Sequence, residues 1–205
     1  MEQPRKQTPR KPAAARREEV AQAALRLIGA QGLSALTTAT LAAEVGLTTG
    51  ALFRHFPSLD AVLAAAVATA TARVESTFPA PDAPPLDRLL DLAERRVRLL
   101  AGEPGIAWML RSEQALLSLP EGAVAELRAL GRRSRDFLVA AIRDGAREAS
   151  IRADIAPEIL VVPVLGTIHT LAGLSAMHGR RRRARDQEIE KVLDALRRLL
   201  APVAR

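Results

Sequence analysis

The chain contains no cysteine and no tyrosine, and only one tryptophan, four phenylalanines and three histidines among its 205 residues. Without cysteine there are no disulfides, no thiolate metal ligands and no thiol nucleophile. Three scattered histidines argue against a metal centre, so no metal site is expected. A phosphate-cradling glycine loop and a spaced nucleophile–base pair are also missing. No catalytic residue is therefore nominated, and neither enzyme activity nor a cofactor is expected. Runs of β-branched and aromatic residues with period two are absent, while Ala, Leu, Arg and Glu dominate. That composition favours helix almost throughout. The N-terminal stretch is rich in Pro, Arg and Lys and has no apolar segment of the kind found in a secretory signal. A cytoplasmic location is expected.

What the chain has in excess is positive charge. The formal net charge is +7 with a sequence pI near 11.1, which suits a polyanionic partner. Residues 1–17 hold Arg5, Lys6, Arg10, Lys11, Arg16 and Arg17 against Glu2 alone. Three prolines and few apolar side chains other than alanine predict that residues 1–15 form a disordered basic arm. A second block, Arg180 to Arg183 with Arg185, is expected to be a solvated loop.

Hydrophobic content of 48% is ample for a core, and its periodicity is helical. Val20, Ala24, Leu27 and Ile28 form the stripe of a first helix, from about residue 16, that Gly32 ends. Pro57-Ser58 opens a fourth helix running to about residue 78. The proline-rich stretch 79–85 cannot continue it and is expected to be a loop. Further helices are expected at about 86–101, 104–117, 120–149, 156–178 and 184–203, giving about nine in all. Pro104 and Pro120 fit opening turns, where a missing amide costs nothing.

Residues 159–177 carry no Asp, Glu, Lys or Arg. The length would cross a bilayer, but Pro163, Thr167, His169, Thr170, Ser175 and two glycines interrupt it. A helix apolar all round also suits a buried interface, and no membrane association is expected. Gly166, Thr170 and Gly173 lie at i, i+4 and i+7, a smooth strip that permits close helix approach.

The most informative segment is 37–63. Thr37 can cap a short helix whose apolar face is Leu41, Ala42 and Val45, Gly46 supplies a turn, and a second short helix follows at about 48–56. This is a helix-turn-helix, which places its second helix in the DNA major groove. The segment, including the Leu-Phe-Arg-His-Phe-Pro run at 52–57, closely resembles the DNA-binding module of the tetracycline-repressor (TetR) family. The resemblance covers about the first 65 residues strongly and the remainder through helix count and order. It implies an all-α fold: a three-helix DNA-binding domain at 16–62 and a helical effector-binding and dimerisation domain at 63–205.

The resemblance also implies particular roles. Thr37 and Thr40, with Thr38 between them, stand at the start of the second helix, where amides and hydroxyls can hold a phosphate. Ala39 stands where relatives often carry a base-contacting side chain, so that it offers at most a thymine methyl contact. Thr48, Thr49, Gly50 and Ala51 open the recognition helix and face base edges. Phe53, Arg54 and His55 lie against the backbone, with His55 at the family's phosphate-contacting position. Two departures stand out. Phe53 replaces the usual tyrosine and Leu59 the usual lysine, so two phosphate contacts are lost. In TetR-like proteins the last two helices pair with their symmetry mates, so a homodimer is expected through Gly166, Thr170, Gly173, Leu193, Leu196 and Leu200. A small hydrophobic or aromatic effector is expected among Phe78, Trp108, Met109, Arg111, Gln114, Phe137, Thr167 and His169. Core packing is the plainer role for Trp108, Met109 and Phe137, and an interface contact for His169. The reading is a repressor that binds a pseudo-palindromic operator in double-stranded DNA. The alternative is an architectural or partner-controlled DNA-binding protein without an effector.

Overall fold

The computed structural model describes residues 12–177 and 182–202 of the chain. Within them lie ten α-helices and no strand: α1 (Ala13–Gln31), α2 (Thr38–Glu44), α3 (Thr49–Phe53), α4 (Leu59–Glu75), α5 (Pro85–Gly102), α6 (Pro104–Arg111), α7 (Glu113–Ser118), α8 (Glu121–Arg147), α9 (Pro157–Met177) and α10 (Arg182–Leu200). The all-α expectation holds. The count rises from nine to ten because the segment expected as one helix over 104–117 breaks at Ser112, whose backbone is extended (φ −89°, ψ 123°). The first helix starts earlier than residue 16: Pro12 stands at its N-cap, and Ala13 to Ala15, the best helix formers, already lie inside it. Most of the expected basic arm, residues 1–11, lies outside the described residues, as do Arg180 and Arg181 of the second basic block.

Proline and glycine punctuate the chain as their backbone chemistry requires. Pro85 and Pro104 open α5 and α6, and Pro84 and Pro120 occupy N-cap positions. Gly46 has φ +64°, a left-handed turn between α2 and α3 that a residue with a Cβ adopts only at a cost.

Two apolar clusters hold the molecule together. The first joins α1 to α4 through Val20, Ile28, Leu41, Leu52, Phe56 and Val67, then continues into Ile106 and Met109 of α6 and Leu130 of α8. The second packs α5, α8, α9 and α10 around Leu89, Leu138, Ile142, Val161, Ile168 and Ile189. The expected domain division at 62/63 falls inside α4, whose opening residues serve the helix-turn-helix and whose later turns pack on α8.

The crossing of α1 and α6 joins the two parts closely. A Cβ added to Gly105 would lie 2.0 Å from the Leu25 carbonyl oxygen, and one on Gly29 would lie 2.5 Å from the Gly105 nitrogen. Only glycine lets these backbones touch. The Arg73–Glu103 ion pair, 2.7 Å, ties the end of α4 to the residue preceding α6.

Candidate DNA-binding surface and ligand cavity

The helix-turn-helix is built by side-chain caps. Thr37 accepts a hydrogen bond from the Thr40 amide at 3.1 Å, and the Thr40 hydroxyl accepts one from the Thr37 amide at 2.9 Å. This reciprocal box fixes the start of α2. Thr40 also donates to the Ala35 carbonyl at 2.7 Å. The two hydroxyls are thus engaged within the protein, and what α2 offers an anion is the N-terminal turn at Thr38 and Ala39. Thr48 caps α3 by accepting from the Ala51 amide at 3.1 Å.

Thr48, Thr49, Gly50, Phe53 and Arg54 are exposed, Ala51 and His55 are half-buried, and Leu52 and Phe56 are buried. The recognition helix therefore turns Leu52 inward and presents the small side chains of Thr48 and Thr49, with Gly50, to solvent. Phe53 is 48% exposed, an apolar ring at the end of the recognition helix. Arg17, counted in the sequence only as charge, has a defined place. It donates to the His55 carbonyl at 2.6 Å and stacks 4.4 Å from the Phe56 ring centroid, clamping α1 to the end of the recognition segment. No sequence periodicity points to that contact, because its partner lies 38 residues away.

The second part of the chain encloses a cavity of about 310 Å³ between α5, α6, α7, α8 and α9. Of the residues expected to line it, Met109, Arg111 and His169 do so. Phe78 and Phe137 meet edge to face just behind it, with ring centroids 5.2 Å apart. Trp108 is half-buried and Gln114 is exposed, and neither lines the cavity. Thr167 donates to the Pro163 carbonyl at 2.8 Å and borders a groove between α9 and α10.

The side chain that sequence reasoning missed is Arg96. Only 7% exposed, it bonds the Thr77 hydroxyl at 2.8 Å and the Ser134 hydroxyl at 3.3 Å and stacks 5.3 Å from the Phe78 ring. Burial pushes its pKa down to about 10. It was detectable, since Arg96 shares the inward face of α5 with Leu89, Ala93 and Leu100. His169 keeps an exposed edge, yet its pKa lies below the ordinary 6.5, through burial first and then the charges of Arg111 and Arg96.

The expected interface residues divide. Leu193, Leu196 and Leu200 turn into the chain's own core. Gly166 and Thr170 are exposed, and the half-buried Gly173 lies under the Arg111 guanidinium. Ile159, Val162 and Leu174 of α9 and Leu199 of α10 face outward, 64%, 63%, 39% and 67% exposed. α9 is long and apolar enough to cross a membrane, but its inner side packs on α5 and α8.

Comparison with known proteins fits this geometry. Residues 21–66 match the family described as "Bacterial regulatory proteins, tetR family". The nucleoid occlusion factor SlmA of Photobacterium profundum is 52% identical over 44 residues, 21% of this chain and 22% of that protein. SlmA of Aliivibrio fischeri is 48% identical over 52 residues, 25% of this chain and 26% of the relative. The chain thus matches only about a quarter of these relatives' length. The ketosteroid transcriptional regulator KstR2 of Mycobacterium tuberculosis shares the fold over 95% of this chain and 97% of its own, with TM-score 0.75 and 19% identity. AibR in complex with isovaleryl coenzyme A and operator DNA gives TM-score 0.74 and 21% identity over 90% of this chain and 97% of its own. Over residues 21–66 the chain is thus similar to the DNA-binding module of the tetR family of bacterial regulatory proteins, and over nearly its whole length it shares the fold of solved transcriptional regulators.

Proposed function

We propose that the protein is a repressor that binds a pseudo-palindromic operator as a homodimer and is released by a small, mainly apolar effector. The observation that carries this reading is the α1–α6 crossing. α1 is the backbone of the DNA-binding module, and α6 supplies Met109 and Arg111 to the cavity. A ligand that shifts α6 must therefore move α1 or break the Gly29–Gly105 contact. An effector favouring the shifted arrangement would draw the two recognition helices of a dimer out of register with successive major grooves, about 34 Å apart.

The proposed dimer forms through the exposed strip of α9, with Gly166 and Thr170 at its centre and Ile159, Val162 and Leu174 along it, flanked by Leu199 of α10. Proposed base contacts are Thr48, Thr49, Gly50 and Ala51. Proposed phosphate contacts are the amides at Thr38 and Ala39 with Phe53, Arg54 and His55 alongside. A protein with this role works in the cytoplasm, beside the chromosome.

The fold neighbours support an effector: AibR is known in complex with isovaleryl coenzyme A and operator DNA, and Bacillus subtilis FadR in complex with stearoyl-CoA. One observation favours the second reading, a DNA-binding protein without an effector, namely that the matched segments of the nucleoid occlusion factors are about half identical to this module. Selection of genomic fragments by the purified chain near about 150 mM salt tests the proposal. Enrichment of a few discrete sites is expected; recovery of fragments in proportion to their length would refute it.

A further inference from the structure

The cavity between α5 and α9 holds a charge imbalance that the protein itself leaves uncompensated. Arg96, Arg111 and Arg128 line it against a single carboxylate, Glu113, a formal +2 with His169 neutral. Arg96 is buried, and among the described residues it has no carboxylate within ion-pair distance; its acceptors are the hydroxyls of Thr77 and Ser134 and, more distantly, the Val74 carbonyl. Three bonds to neutral acceptors leave two of its five N–H groups over. Arg111 likewise has no ion pair among the described residues, its guanidinium resting instead on Gly173 of α9. Arg96 and Arg111 line the cavity together with His169 and both disfavour its protonation, so the two guanidinium charges meet around a neutral ring. Burying a cation such as Arg96 without a counter-ion is unfavourable, and the more exposed Arg111 and Arg128 add to its charge instead of offsetting it. Elsewhere the chain pairs its arginines freely, as in Arg143 with Glu158 at 2.9 Å and Arg197 with Asp87 at 3.0 Å. Around this cluster the walls are apolar: Met109, Leu116, Leu127, Leu130 and Leu165.

We infer that the cavity binds an anionic amphiphile, a small organic acid whose carboxylate lies between Arg96, Arg111 and the Ser134 hydroxyl while its hydrocarbon part lies along the leucines. A guanidinium fork matches a carboxylate's two oxygens, and a cavity of about 310 Å³ accommodates an acid of roughly ten heavy atoms. The inference rests on the effector reading above and adds the charge that the effector must carry.

The test uses the full-length protein and three matched probes: octanoate, octanamide and 1-octanol, with calorimetric binding and operator release as separate readouts. Octanoate should bind at least about tenfold more tightly than octanamide. Arg96→Gln should remove that preference, and Arg111→Gln, at an exposed position where folding is not at risk, should reduce it about threefold or more. Equal binding of acid and amide, a preference that survives both substitutions, or binding of none of the three would overturn the inference. Preferential octanoate binding that leaves the operator complex intact would uphold the anion site and instead defeat the effector reading.

Discussion

Phe53 and His169 show how single side chains set the protein's behaviour. Phe53 stands half-exposed on the recognition segment and contributes no hydrogen bond to a phosphate. Phe53→Tyr adds a hydroxyl without disturbing packing, so operator affinity should rise several-fold, about 1 kcal/mol, with little change in stability. An affinity unchanged in a binding titration would remove position 53 from the DNA surface. His169 is governed by linkage. Its folded pKa lies below 6.5, so as pH falls the unfolded chain takes up a proton first. Its contribution to stability is therefore complete above pH 6.5 and lost as pH falls through that value toward the folded pKa. The groups around it in the cavity, Arg96, Arg111 and Arg128 with Glu113, add positive charge on balance. Urea denaturation at pH 7.5 and 5.5 should show the loss, and His169→Asn should flatten it. An equal pH dependence in both proteins would refute this assignment.

At the scale of elements, the local signals were legible and the distant ones were not. The capping threonines, the turn at Gly46 and the inward Leu52 and Phe56 follow from spacing within some 25 residues, so the helix-turn-helix could be placed from sequence. Helix periodicity, by contrast, tells an apolar face from a polar one but not what covers it. Leu193, Leu196 and Leu200 form such a face, and it is the chain's own core that covers it. The break at Ser112 was hidden because the residues on both sides suit helix equally well. Arg96 was in view as an arginine in phase with leucines, but its neighbours Thr77 and Ser134 come from 19 residues before and 38 after. The crossing of α1 and α6 gives the element-scale prediction. Gly105→Ala places a methyl group against the Leu25 backbone, which cannot yield as a flexible side chain would. The two helices must separate, at about 1–3 kcal/mol of stability, measurable by thermal or chemical denaturation. Wild-type stability in that variant would mean that the contact is looser than described.

For the whole molecule, the apolar strip on α9 and its continuation at Leu199 is the feature a monomer leaves unexplained. Ile159 and Val162 near one end of α9 and Leu174 near the other leave an apolar strip of the kind that interaction surfaces use. Val162→Glu puts a charge on this strip while leaving the chain's own core untouched. Light scattering at micromolar concentration should then give a monomer mass for the variant and a dimer mass for the unaltered protein. A dimer that survives the substitution would place the interface elsewhere.

In the proposed mechanism two recognition helices act together on one stretch of DNA. Hydroxyl-radical footprinting of a selected genomic fragment tests that directly. The predicted result is a short symmetric site with two protected patches about 34 Å apart, one helical turn, on one face of the duplex. A single unsymmetrical patch, or uniform protection that vanishes with modest salt, would contradict it.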